Sequence, residues 1–145
     1  NVGVSSYAGR RCMLEIGTYC GYSALRMAMA IPDALIVSLE VDPAHLVIAR
    51  SIVALAGMPR SINIWTGHSK DTLPRISTAY LEDLEAMFCT VFLDERGSGF
   101  DEDLESLEGL GLLEPGAVVV ADNVLKPGAP SFLWRLCKSG YYKTQ

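Results

Sequence analysis

At 145 residues, half of them hydrophobic and with a mean hydropathy of +0.24, the chain has the size and apolar content of one globular domain with a substantial core. A net charge of −5 and a pI near 4.9, with twelve basic residues scattered along the chain, exclude a phosphate-binding nucleic-acid surface, which needs clustered Lys and Arg. No apolar run approaches the ~20 residues of a membrane span and residues 1–11 lack the apolar core of a signal peptide, so a soluble, cytoplasmic protein is expected. The first residue is not Met, which leaves targeting open. Cys12, Cys20, Cys89 and Cys137 are widely spaced with no C-x-x-C, the pattern of reduced thiols rather than of a disulfide framework or zinc site.

Residues 12–16 form a short apolar run that fits a buried strand, and a run of good helix formers begins at Ser23. Gly17 and Gly21 lie between them, which reads as strand, glycine turn and helix. Gly17 lets the chain leave the strand sharply and lets a ligand approach the backbone; Gly21 allows close packing or entry into the helix. A dinucleotide fingerprint would place three glycines as G-x-G-x-x-G, but Tyr19 occupies the second of those positions in the spacing E-x-G-x-x-x-G. This disfavours a nucleotide-dependent oxidoreductase. With Glu15 inside the strand end, the turn better suits a ligand with a cationic amino acid part, such as S-adenosylmethionine (SAM).

A second strand is expected at 35–39, closing on Glu40. Asp42 is placed as N-cap of the next helix with Pro43 at its first position and Gly57 as its stop. His45, early in that helix, has no obvious partner and reads as surface. A third strand at 61–65 leads into Gly67-His68-Ser69-Lys70, followed by a helix at 71–84 interrupted by Pro74. A fourth strand at 87–93 ends on Asp94, a helix covers about 101–110, a fifth strand at 117–121 ends on Asp122-Asn123, and an amphipathic stretch spans 131–138. There is no internal repeat or interdomain linker. Five apolar strands alternating with helices predict an α/β, Rossmann-like doubly wound, mainly parallel sheet with helices on both faces, in a single domain over 1–145.

In such sheets ligands bind at the carboxyl ends of the strands, where this chain carries polar residues after every strand. Glu40 follows Gly17 by 23 residues, near the offset at which an acid meets a ribose hydroxyl pair; a solvated strand-end carboxylate is the alternative. Gly67-His68-Ser69 can line an adenine ring, or Ser69 can simply cap the next helix. Asp94, Asp122 and Asn123 can bring two carboxylates and an amide to a magnesium ion, or act as a helix cap and an Asx turn.

Over residues 12–133 the chain resembles the catechol O-methyltransferase family, through LEIGTYCGYSALRMA, SLEVDP, VFLD and above all GLLEPGAVVVADNVLKPGAP. The resemblance implies a magnesium-dependent methyl transfer from SAM to a hydroxyl of a small catechol-type substrate. It places Glu15, Gly17, Tyr19 and Ser23 around the methionine part of SAM, Glu40 on the ribose, Val41 against the adenine, and Gly67, His68, Ser69 and Lys70 at the adenine edge. Asp94, Asp122 and Asn123 match its magnesium ligands, Asp94 also touching the cofactor. The family's lysine base falls at Gly97, and Asp94-Glu95-Arg96-Gly97 replaces its aspartate, histidine, tryptophan, lysine run. Lys126 is the candidate substitute base, and a catalytically impaired binding or regulatory module is the rival reading. The family pattern also implies N-terminal helices and last strands beyond this sequence. A monomer is expected.

Overall fold

The computed structural model describes residues 10–82, 87–95 and 99–144. Five strands form one sheet: β1 (Cys12–Ile16), β2 (Leu35–Glu40), β3 (Ile62–Thr66), β4 (Phe88–Leu93) and β5 (Leu113–Ala121). Every pairing is parallel and the order is β3-β2-β1-β4-β5. The helices are α1 (Tyr22–Ala30), α2 (Pro43–Leu55), α3 (Ser69–Ile76), α4 (Phe100–Gly109) and α5 (Pro130–Ser139). The chain thus winds outward from β1 through β2 to β3, then crosses back to lay β4 on the other side of β1. The expected doubly wound α/β fold is the one observed, and it has two cores because the sheet is covered on both faces.

Alternate residues of the central strands feed the two cores. Leu14, Val37, Val91 and Leu93 pack with Leu73 of α3, Phe100, Leu104 and Leu107 of α4 and Phe132 of α5. On the other face Met13, Ile36 and Ile64 pack with Ala24 and Ala28 of α1 and with Leu46, Ala49 and Val53 of α2. Small residues bring α1 and α2 close: a Cβ at Gly21 would stand 3.4 Å from that of Ala49.

Most boundaries fall within one or two residues of expectation. The helix expected at 71–84 instead begins at Ser69, stays α-helical to Ile76 and widens into a π-helical segment over Ser77–Glu82; its expected last residues lie outside the described ones. The fifth strand starts at Leu113, not 117. Leu113 pairs with Phe88 but regular pairing resumes only at Thr90 with Val118, so residues 114–117 bulge. Pro115 lacks a ladder donor and Gly116 takes φ +84°, which lets the chain make this excursion and re-enter. All four cysteines are free, and burial pushes the Cys12 thiol up to about 11, which keeps it protonated and inert.

Candidate cofactor site

At the carboxyl edge of the sheet the hydrogen-bond ladder runs past the strands and sets the first residue of each turn. Gly17 N–H donates to the Leu39 carbonyl (3.1 Å), Gly67 N–H to Glu40 (3.1 Å), Asp94 N–H to Ile16 (2.9 Å) and Asp122 N–H to Leu93 (2.9 Å). The four turns are therefore held at one level, with β1 and β4 flanking the point where the winding reverses. A cleft of ~600 Å³ opens there.

The first two turns supply Gly17, Tyr19, Glu40 and Val41 to its wall, and the later ones supply Gly67, His68, Ser69 and Asp94. Gly17 is required at its place: φ is +106°, and a Cβ would lie 2.3 Å from the Asp94 carbonyl oxygen. Glu40 is buried, with 6% exposure, so the reading as a solvated strand-end carboxylate fails. Its Oε2 accepts from Tyr19 N–H (2.6 Å) and its Oε1 from Asp42 N–H (2.8 Å). One carboxylate thus ties the β1–α1 turn to the start of α2. Tyr19, in the left-handed region at φ +50°, is positioned by this bond.

Glu15 lies beneath the first turn and does not line the cleft. It is wholly buried on the face of β1 opposite Leu14 and Ile16. Ser38 Oγ donates to its Oε2, and Ser38 in turn shares a hydrogen bond with Thr18 Oγ1 (2.5 Å). Its Oε1 is buried with no hydrogen-bond partner of good geometry among the described residues. Burial drives the Glu15 carboxyl up to about 7; the Ser23 and Ser38 hydroxyls pull the other way, while Asp94 and Glu40 push it further up. Ser23, half-buried in α1, therefore belongs to the Glu15 environment and not to the cleft wall.

Ser69 is the first residue of α3, and His68 stands at the N-cap position without a side-chain cap bond, so the reading of Ser69 as the cap is corrected. Gly67 takes φ +129°, and a Cβ there would lie 2.8 Å from Thr72 Oγ1. His68 and Lys70 are both exposed. Asp94 does not cap α4, which begins only at Phe100 with Gly99 at its N-cap. Burial and the nearby Asp122 carboxylate raise its pKa. Glu95, also in the cleft wall, is pushed up to about 8 by burial and by a hydrogen bond to, and the charge of, the buried Asp103 carboxyl of α4.

Asp122 and Asn123 are exposed at the end of β5, where Asp122 Oδ1 accepts from Asn123 N–H (2.6 Å) and Asn123 takes φ +59°. They flank the cleft without lining it. Lys126 is exposed in the wide turn that follows, and its peptide bond to Pro127 is cis. Arg96 and Gly97 lie outside the described residues.

His45 overturns its expectation as a partnerless surface residue. It lines the cleft, its Nδ1 is 3.9 Å from Glu40 Oε1, and its ring meets that of Tyr19 edge-on with centroids 4.6 Å apart. The signal was available in principle. A residue in the first turn of a helix leans toward the helix N-terminus, and α2 starts at the carboxyl edge of β2.

A parallel sheet whose winding reverses beside a glycine turn, with an acid at the end of the neighbouring strand, is the doubly wound architecture of the Rossmann-like α/β class. The chain belongs to the O-methyltransferase family, whose model matches residues 4–131. It is 40% identical over 133 residues to catechol O-methyltransferase B of Danio rerio, covering 91% of this chain and 49% of that protein. It is 41% identical over 122 residues to catechol O-methyltransferase of Sus scrofa, covering 83% and 64%. The chain thus spans about half of the one relative's length and just under two thirds of the other's. Among solved structures it is similar to the O-methyltransferase TomG from Streptomyces achromogenes, in complex with SAM, at 31% identity and a TM-score of 0.76, over 88% of this chain and 61% of that one. No helix among the described residues is long and apolar enough to cross a membrane.

Proposed function

We propose that this chain is the SAM-binding domain of a magnesium-dependent O-methyltransferase acting on a hydroxyl of a small catechol-type substrate. The observation that carries the reading is the buried Glu40 carboxylate, presented in the same cleft as the Gly17 turn and Asp94 at the switch point of the sheet. SAM bound in a relative of the same fold, and the catechol O-methyltransferase names of the relatives at about 40% identity, support the cofactor and substrate class. The free, widely spaced cysteines fit a reducing, cytoplasmic setting.

The donor set at the second strand pair suits a hard dication. Asp94 and Asp122 are close enough for the charge of one to raise the pKa of the other, a strain that a bound cation relieves. No group of three His, Cys, Asp or Glu side chains gathers as ligands among the described residues, so the Asn123 amide would be the third protein ligand. SAM supplies the methyl group as a sulfonium, and Mg²⁺ lowers the pKa of a hydroxyl bound to it. The chain's own part is placement: Gly17 lets the Asp94 backbone close against the first turn, Glu40 accepts from ribose hydroxyls, Val41 offers an apolar wall to the adenine, and Asp94 meets both cofactor and metal sites. Lys126, in the turn after Asn123, is the residue of this chain that we assign to taking the phenolic proton.

Calorimetric titration of SAM into the full-length protein, with Glu40→Ala as control, tests the pocket. Labelled methyl transfer to a simple catechol, with and without chelator, tests the reaction. The expected result is saturable binding lost in Glu40→Ala and turnover abolished by chelator and reduced at least tenfold in Lys126→Ala. Binding without turnover would make the chain a cofactor-binding module, a reading that Glu95 favours by standing where the family has histidine.

A further inference from the structure

We infer that His45 is a further cofactor-contacting residue, forming with Glu40 a two-sided clamp for one hydroxyl of a nucleoside ribose. The inference rests on the nucleoside cofactor proposed above and adds to it the donor that Glu40 lacks. Glu40 has each oxygen engaged by one backbone N–H, from Tyr19 and from Asp42, which leaves further lone pairs and no donor. A hydroxyl that donates to such a carboxylate keeps acceptor lone pairs of its own, and within a cleft those need a partner.

The His45 ring supplies one. Its Nδ1 stands 3.9 Å from Glu40 Oε1, beyond hydrogen-bond reach. Both atoms can still reach one hydroxyl oxygen at about 2.8 Å, with an angle of roughly 90° at that oxygen. The ring is not adrift at this spacing. It is braced edge-on by Tyr19, and its own backbone N–H donates to Asp42 Oδ1 (3.3 Å), which anchors the first turn of α2. The glutamate accepts, the Nδ1–H imidazole donates, and the hydroxyl does both. A hydrogen or a methyl ether in place of the hydroxyl cannot.

The test is a ligand cycle on the full-length protein, with adenosine, 2′,3′-dideoxyadenosine and SAM titrated into the wild type, His45→Phe and His45→Asn. Phenylalanine keeps a ring against Tyr19 and removes the donor; asparagine restores an N–H near the Nδ1 position. The expected result is a roughly 3- to 10-fold loss of adenosine affinity in His45→Phe, the size of one net hydrogen bond. Dideoxyadenosine affinity should stay unchanged, with partial recovery for adenosine in His45→Asn. Equal losses for both nucleosides, or no loss for either, would overturn the clamp and leave His45 a structural neighbour of Glu40. Adenosine binding that follows this pattern in a protein that does not bind SAM would uphold the clamp and sink the methyltransferase reading. SAM binding indifferent to both His45 substitutions would do the reverse, and failure to bind any of the three ligands would remove both.

Discussion

Glu15 is an acid in the interior of a sheet, and its energetics follow from that position. Its carboxyl titrates near 7 in the folded chain, against about 4.5 when exposed. Between those values the folded state holds a proton that the unfolded state has lost, so stability falls as pH rises from about 4.5 to about 7 and then levels off. The whole step is on the order of 3 kcal/mol at one pKa unit per 1.36 kcal/mol. Glu15→Gln keeps an oxygen for Ser38 and cannot ionise. It should therefore flatten this limb and raise the denaturation midpoint at pH 8 relative to wild type. Urea titrations of both proteins at pH 5 and pH 8 check it; parallel pH dependence would mean that Glu15 is ionised in the fold.

At the scale of elements, α2 does more than cover β2 and β3. Its N-cap Asp42 accepts from Ala44 N–H (2.7 Å) and His45 N–H (3.3 Å), while Asp42's own N–H donates to Glu40. The helix start, the Glu40 carboxylate and the His45 ring are thus one connected unit. Asp42→Ala should lower Tm by a few degrees, as loss of an N-cap does, and should also weaken adenosine binding because the first turn that carries His45 loosens. Thermal denaturation paired with titration separates the two effects: a lowered Tm with unchanged nucleoside affinity would show that the cap stabilises α2 without positioning the site.

For the molecule as a whole, the seam between β1 and β4 joins the two windings of the sheet, and Gly17 is its tightest point. Asp94 N–H bonds to Ile16 while the Asp94 carbonyl passes where a Gly17 side chain would be. Gly17→Ala must therefore both hold a left-handed backbone and push β4 away from β1. A destabilisation of about 2–4 kcal/mol is expected from strain plus displaced packing. Chemical denaturation measures it, and a loss below about 1 kcal/mol would mean that the seam yields easily. The cleft opens at this seam, where the chain after β1 leads to α1 on one face of the sheet and the chain after β4 leads to α4 on the other.

Local patterns were sufficient for much of this protein. The apolar runs, Asp42-Pro43 as a helix start and the glycine turn after the first strand are short-range signals, set by backbone sterics and hydrogen-bond chemistry within a few residues, and from them a doubly wound parallel sheet followed, though not its strand order. The longer reach of β5 was hidden because Glu114-Pro115-Gly116 resembles a turn until a neighbouring strand exists to bulge against. His45 was misjudged for a related reason, since its partners Tyr19 and Glu40 come from two other turns. The burial of Glu15 beneath the cleft, the hydrogen bonds that make Glu40 a brace and the approach of Asp94 to Gly17 were likewise decided by tertiary structure. Each depends on how close two separately folded turns come, and contact between residues distant in the chain is set by the packing of the whole sheet, which no local stretch encodes.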